Sequence, residues 1–393
     1  MPAILPVVLL LYLLMLPVTA MVPVLRELTA GRYPELGEFE LHLFMSANML
    51  GALLFVPLAG LLSDLWQRRK ALIVLAMGVN ALSVWMLLGD WPWAVYLLWR
   101  FIEGCAHITA LSLLMTMAGD HLHARGGRGL GGGMGLVGAA ISLGVATGAP
   151  LGGWIGQHGA DEVLRYGAGL LALLFVLSLL WLRESPAPPR RTGLGGLLRA
   201  LPQNRALLLP YAFAFVDRLT VGVIVSTLSL YLSSVIGMSA LAIGLVMAMF
   251  LLPFSLLTWP AGLLSQRWNP VKMMFLGSLA YGLTLAGVGF VSAGWIPWLM
   301  FLGGVVAALM YAPSLLLVAA LSQPAHKAIS MGGFNFFGSL GFVLGPLLGG
   351  ALVTLYGQSA LPPYPMALAT VAVLELVCVL LFLPWAIRRR WSA

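Results

Sequence analysis

Charge is what this sequence has least of. Asp, Glu, Lys and Arg make up 9% of its 393 residues, against 61% apolar residues and a mean hydropathy of +0.98. Soluble domains carry about 25% charged residues, so a water-exposed surface for a chain of this length is excluded. Short alternating segments with one polar face are missing, which argues against a membrane β-barrel. Only two cysteines occur, Cys105 and Cys378, both inside apolar runs, so no disulfide framework is implied. No Asn-x-Ser/Thr sequon is present, in keeping with a bacterial inner membrane. HExxH and GxSxG are absent as well, which argues against an intramembrane enzyme. The first 25 residues lack the basic region of a signal peptide, and their apolar run is too long for one. They read as a first membrane helix. What remains is an all-α polytopic membrane protein.

Apolar stretches of spanning length fall at about 4–25, 41–62, 71–89, 92–118, 130–156, 163–182, 206–236, 239–264, 271–291, 294–321, 329–356 and 364–387. About 18 residues suffice to cross a bilayer, so twelve transmembrane helices are expected. The basic, proline-rich stretch "RESPAPPRRTGLGGLLRALPQNR" (183–205) reads as a cytoplasmic linker. It divides an N-terminal six-helix bundle, 1–182, from a C-terminal one, 206–393. The chain is basic, with a net charge of +8, but the cations sort by membrane side, and nucleic acid is set aside. With both termini in the cytoplasm, sixteen of the 21 Lys and Arg lie inside and three outside, the positive-inside pattern. Only Arg100 and Arg218 fall within spans.

The two halves repeat one another. "GLLS" recurs at 60–63 and 262–265, "TALSLL" (109–114) matches "YAPSLL" (311–316), and "MGLVGAAISLGVATGAPLGG" (134–153) matches "MGGFNFFGSLGFVLGPLLGG" (331–350). The order is kept and the offset is nearly constant, which marks an internal repeat.

With these motifs the sequence resembles the major facilitator superfamily over nearly its whole length. "GLLSDLWQRR" carries Gly60, Leu62, Asp64, Arg68 and Arg69 of that family's loop 2–3 signature and departs from it at Leu65 and Gln67. "LLWRFIEGCA" carries the R-x-x-x-G element as Arg100 and Gly104, with Glu103 where glutamine is frequent. "GVATGAPLGG" (144–153) resembles the antiporter signature of the fifth span with its proline displaced by one, and "GFVLGPLLGG" (341–350) matches it without displacement. The resemblance implies two six-helix bundles related by a pseudo-two-fold axis, with helices 1, 4, 7 and 10 around a central cavity. It also implies a cytoplasmic latch built from Gly60, Asp64, Arg68 and Arg69. A carboxylate in a basic turn supports this, since it can accept hydrogen bonds from the cations or face a helix N-terminus.

The glycines Gly144, Gly148, Gly152 and Gly153 of the fifth span, and Gly341, Gly345, Gly349 and Gly350 of the eleventh, permit close backbone approach. Pro150 and Pro346 each remove a backbone hydrogen bond and permit bending. Together they predict a packing seam, static or rocking. "GRGLGG" (127–132) matches a nucleotide-binding pattern, but no strand precedes it. "HLH" (121–123), beside Asp120, is expected in a solvated basic loop rather than at a metal.

A full charge near the centre of a membrane helix costs about 2.5–3.5 kcal/mol on insertion scales. Arg100, Glu103 and His107 fall within about 60° of one another on a helical wheel, and Trp93 and Tyr96 extend that stripe. Asp217 and Arg218 sit half-way through the seventh span. The four fixed charges cancel. Two interdomain ion pairs are expected, with Arg100–Asp217 and Glu103–Arg218 the favoured partners and helix rotation deciding between them and other pairings. Glu103 is the first candidate proton carrier, Asp217 the second and His107 a relay. Glu375, in the twelfth span, is expected to tuck against a polar neighbour. Asn48, Tyr231, Tyr311, Asn335, Phe336 and Phe337 are further cavity candidates, their aromatic content suited to an amphipathic solute.

The expectation is a secondary transporter working as a monomer in the bacterial inner membrane, with no cofactor or metal. It would export a small organic compound in exchange for protons. The alternatives are proton-coupled uptake and movement of a lysophospholipid-like solute, with a non-transporting receptor or enzyme more remote.

Overall fold

The computed structural model describes residues 4–66, 68–123, 130–184, 205–322 and 327–388. Among these, twelve helices are long and apolar enough to cross a membrane. They are α1 (Leu5–Leu28), α2 (Glu38–Trp66), α3 (Arg69–Met86), α4 (Trp93–His123), α5 (Leu130–Gly156), α6 (Ala160–Trp181), α7 (Leu208–Ser234), α8 (Ala240–Arg267), α9 (Pro270–Val288), α10 (Ile296–Leu321), α11 (Lys327–Gly357) and α12 (Pro363–Arg388). The described chain is all-helical. The Gln67 departure, the first half of "GRGLGG" and the body of the predicted linker lie outside the described residues.

Two helices depart from regularity. In α1 the α-helical part stops at Ala20, and a 3₁₀ turn at Val22–Val24 follows before the last turn, Leu25–Leu28. Pro23 causes the break, since it lacks the N–H that would continue the ladder. In α7 a π-helical turn, Ile224–Leu228, interrupts the middle, a feature that often marks functional sites. The "HLH" segment is not a loop: His121–His123 form the last turn of α4, whose apolar pattern carries the helix past Asp120.

The chain forms two compact units. One is drawn from Met1–Pro34, Ala47–Arg191 and Met238–Leu245, the other from Glu35–Ser46, Thr192–Gly237 and Val246–Ala393. The first turns of α2 therefore belong to the second unit, and the start of α8 belongs to the first.

In the first unit the Leu5–Ala20 part of α1 carries no charged residue, and Leu10, Leu11 and Leu14 are fully buried, the mark of a core helix. Helix α5 lies along it. A Cβ on Gly144 would run into Tyr12 O, one on Gly148 into Thr19 Oγ1 and one on Gly152 into Ala20 O. In the second unit α11 lies along α7 in the same way. A Cβ on Gly341 would strike Phe215 O, one on Gly345 Leu219 O and one on Gly349 Thr227 Oγ1. Only glycine allows these backbones to come so close. Gly153 and Gly350, one position on, use the next face: Gly153 meets Ala240 of the first unit and Gly350 meets His42 of the second. Pro150 borders Gly244, and Pro346 lies against Gly222.

Hydroxyls inside these helices are satisfied by the preceding turn. Ser83 donates to Val79 O at 2.8 Å, Ser178 to Leu174 O at 2.6 Å and Thr284 to Ala280 O at 2.7 Å. Such back-bonds matter where no water can replace them. The outer surfaces carry large apolar side chains, among them Leu75, Leu180, Trp259, Leu276 and Leu381, which suit lipid rather than water.

Candidate functional site

The charges within the spans form one cluster in each unit. In the first unit Arg100 and Glu103 sit three residues apart on α4, both 1% exposed. Arg100 Nη1 donates to Glu103 Oε2 at 2.7 Å and also approaches Met21 Sδ of α1 at 3.2 Å. Asn48 of α2 donates its side-chain amide to the same Glu103 oxygen. A close helix crossing brings Asn48 there: a Cβ on Gly104 would fall on the Asn48 backbone oxygen. The Arg100–Gly104 spacing thus sets the charge and the approach one turn apart on one helix. His107 is buried one turn beyond Glu103.

Trp93 and Tyr96 lie at the start of α4, within an aromatic cluster completed by Tyr33. Tyr33 lies 5.1 Å from Trp93 and 5.4 Å from Tyr96, centroid to centroid. Tyr96 is fully buried, with the Arg32 guanidinium 5.7 Å from its ring centroid. Arg32 also donates to Leu87 O at 2.5 Å and pairs with Asp161, and Tyr33 donates to Trp91 O at 2.8 Å. The α1–α2 loop is therefore tied to the neighbouring loop and to α6.

In the second unit Asp217 and Arg218 are adjacent on α7. Asp217 is buried, whereas the Arg218 side chain is 28% exposed. Arg218 Nε stands 3.7 Å from Asp217 Oδ2, a loose pair of the kind expected for neighbours diverging by about 100°. The guanidinium lies over two rings, Tyr311 of α10 at 5.0 Å and Phe342 of α11 at 5.3 Å. Gly338 leaves room for its stem, since a Cβ there would come within 3.3 Å of Arg218 Cγ.

Within each unit, Arg100 pairs with Glu103 and Asp217 with Arg218. The reason is local. An i,i+3 spacing puts Glu103 directly under the long Arg100 side chain, and Arg218 reaches back to its neighbour through its flexible stem.

Of the other cavity candidates, Tyr231 is buried and stacks with Tyr364 at 5.9 Å. Phe337 stacks with Tyr211 at 5.4 Å. Asn335 and Phe336 are exposed, and Phe336 meets Phe337 edge-on at 5.8 Å.

At the α2–α3 loop, Arg69 is almost fully buried and pairs with Asp120 near the end of α4. Glu184 accepts from the backbone N–H of Arg69 at 2.8 Å and of Lys70 at 3.3 Å, an anion at the α3 N-terminus. Arg68 is exposed. A Cβ on Gly60 would meet nothing. The Asp64 backbone is helical, while its side chain lies outside the described residues. Asp120 and Glu184 were not anticipated from the sequence. The available signal was two acids placed among loop cations. Among the described residues no cluster of three His, Cys, Asp or Glu could hold a metal.

Twelve helices in a repeated pattern, with charge clusters buried among apolar side chains, define an integral membrane protein of the transporter class. The family model described as Major Facilitator Superfamily matches residues 7–215 and 210–390. The chain belongs to the major facilitator superfamily, whose members are transporters rather than enzymes. It is similar to the 3-(3-hydroxy-phenyl)propionate transporter of Escherichia coli (strain K12), 28% identical over 338 residues that cover 81% of this chain and 79% of that one. It is also similar to the class B tetracycline resistance protein of Escherichia coli, 24% identical over 77% of this chain and 78% of the relative. Among solved structures, the nucleoside transporter NupG superposes with a TM-score of 0.78 at 16% identity, covering 98% of this chain and 99% of that one, a likeness of fold.

Proposed function

We propose that the protein exports a small, amphipathic organic compound in exchange for protons, by alternating access. The observation that carries this reading is the Arg100–Glu103 pair, buried in an apolar unit and held from two further helices by Met21 and Asn48. A carboxylate there remains ionised while the guanidinium holds it. It takes up a proton when the guanidinium moves away, and loses it when the guanidinium returns. If the two conformations differ in that contact, proton binding and conformation are coupled. Glu103 carries the proton, Asp217 acts as a second carrier beside Arg218, and His107 serves as relay. The glycine seams of α5 and α11 are the surfaces on which helices shift. The basic α2–α3 loop, with Asp64 and the Arg69–Asp120 pair, closes the cytoplasmic side. Both termini face the cytoplasm of a bacterial inner membrane, and the monomer suffices. The similarity to a tetracycline resistance protein supports export of a drug-like compound.

One observation favours a second reading, proton-coupled uptake. The partly exposed Arg218 guanidinium lies between aromatic rings, a setting that suits an aromatic carboxylate such as 3-(3-hydroxyphenyl)propionate.

The test is transport into proteoliposomes under an imposed pH gradient of either sign. The panel holds tetracycline, 3-(3-hydroxyphenyl)propionate and lysophosphatidylcholine. Export predicts that a panel member accumulates against the proton flow. Accumulation with the proton flow supports the uptake reading, and indifference to the gradient contradicts both.

A further inference from the structure

Glu375 lies on α12 of the second unit and is fully buried. None of the ion pairs among the described residues includes it. Its partners are hydroxyls. Ser278 of α9 donates to Glu375 Oε2 at 2.6 Å. Thr220 Oγ1 of α7 stands 3.4 Å from Glu375 Oε1 and 3.4 Å from the Tyr281 hydroxyl. Helices α9 and α12 are brought together at a glycine: a Cβ on Gly282 would come within 3.1 Å of Glu375 Cβ and 3.2 Å of Ala372 O.

Counting hydrogens decides the state of this cluster. Thr220 has one hydroxyl hydrogen, and its nearest acceptor is Asp217 O, at 2.6 Å. With that hydrogen committed, Thr220 Oγ1 offers only lone pairs to its other neighbours. The contact with Glu375 Oε1 is then a hydrogen bond only if Glu375 supplies the proton. With Glu375 neutral, Ser278 donates to Oε2 and Oε1 can donate to Thr220 Oγ1, so both carboxyl oxygens are matched. With Glu375 ionised, either Thr220 gives up its 2.6 Å bond to Asp217 O to donate to Oε1 or two acceptors face each other, and in both cases the buried charge has no ion-pair partner among the described residues, which is costly.

We propose that Glu375, Ser278, Thr220 and Tyr281 form a proton-binding site within the second unit, with the proton on Glu375 Oε1 and exchangeable with solvent. Ionisable groups facing it are few. Helix α7 brings Asp217, close enough to interact electrostatically, with Arg218 beside it. Helix α9 brings Tyr281, and α12 itself brings Cys378. Thr220 bonds the Asp217 backbone and touches the Glu375 carboxyl, so the new site adjoins the α7 charge pair. The site stands whether or not Glu103 carries the driving proton.

Infrared spectroscopy of the full-length protein in liposomes at pH 7 tests it. The wild-type spectrum should contain a carboxylic C=O band that is lost in Glu375→Gln and kept in Glu103→Gln. Transfer to D2O should shift that band. Ser278→Ala should move it to higher frequency, because one hydrogen bond to the C=O is removed, and this arm stands even if Glu375→Gln fails to fold. A wild-type minus Glu375→Gln difference showing only ionised carboxylate bands would overturn the proposal. So would an unchanged band in Ser278→Ala, or one that does not exchange in D2O.

Discussion

Arg100→Leu is expected to abolish pH-driven transport and to destabilise the protein by about 3–5 kcal/mol, the usual cost of removing one partner from a buried ion pair. Arg100 and Glu103 are both 1% exposed and 2.7 Å apart. Without the guanidinium, Glu103 keeps only the Asn48 amide, and must either bury a charge or take a proton. The double variant Arg100→Leu/Glu103→Gln should therefore unfold at a higher temperature than Arg100→Leu alone. Groups in direct contact do not behave additively, and the cycle isolates their coupling. Thermal unfolding of the four purified proteins in detergent gives the answer. Simple additivity would show that the pair contributes little.

The second large effect is steric. Gly152→Leu should yield little or no monodisperse protein on size-exclusion chromatography. The first added carbon would land on the Ala20 backbone, which has no flexible end to swing away. Overpacking in a well-packed interior typically costs about 1–3 kcal/mol. Here the new side chain must also push α5 away from α1 along the Gly144–Gly148–Gly152 row. Gly60→Leu is the matched control, because a Cβ at Gly60 meets nothing within 4 Å. It should express and elute as the wild type does. Equal loss in both variants would contradict the reading of α5 as a close-approach seam.

The helices and the glycine rows were legible because each follows from a one-dimensional pattern. A run of apolar residues fixes a span, and small residues every fourth position fix a seam. The Arg100–Glu103–His107 face was legible for the same reason, since helical periodicity orders neighbours along one element. Partners on other elements were not. Asn48 reads as one amide in an apolar helix, and only the crossing at Gly104 shows that it serves Glu103. Asp120 reads as part of a basic loop until α4 runs through it to meet Arg69. The charge balance suggests pairing across halves and is equally satisfied by pairing within each helix, where short tethers hold Arg100 by Glu103 and Arg218 by Asp217. In the sequence Glu375 reads as tucked against a polar group. Its three hydroxyl neighbours come from two other helices, whose rotations the sequence does not encode locally.

The coupling of proton movement to transport through Glu103 is tested most directly in proteoliposomes bearing Glu103→Gln, using whichever panel compound the wild type moves. The account predicts that pH-driven accumulation is lost while exchange of labelled for unlabelled compound at equal pH persists. Full pH-driven accumulation in Glu103→Gln would contradict it.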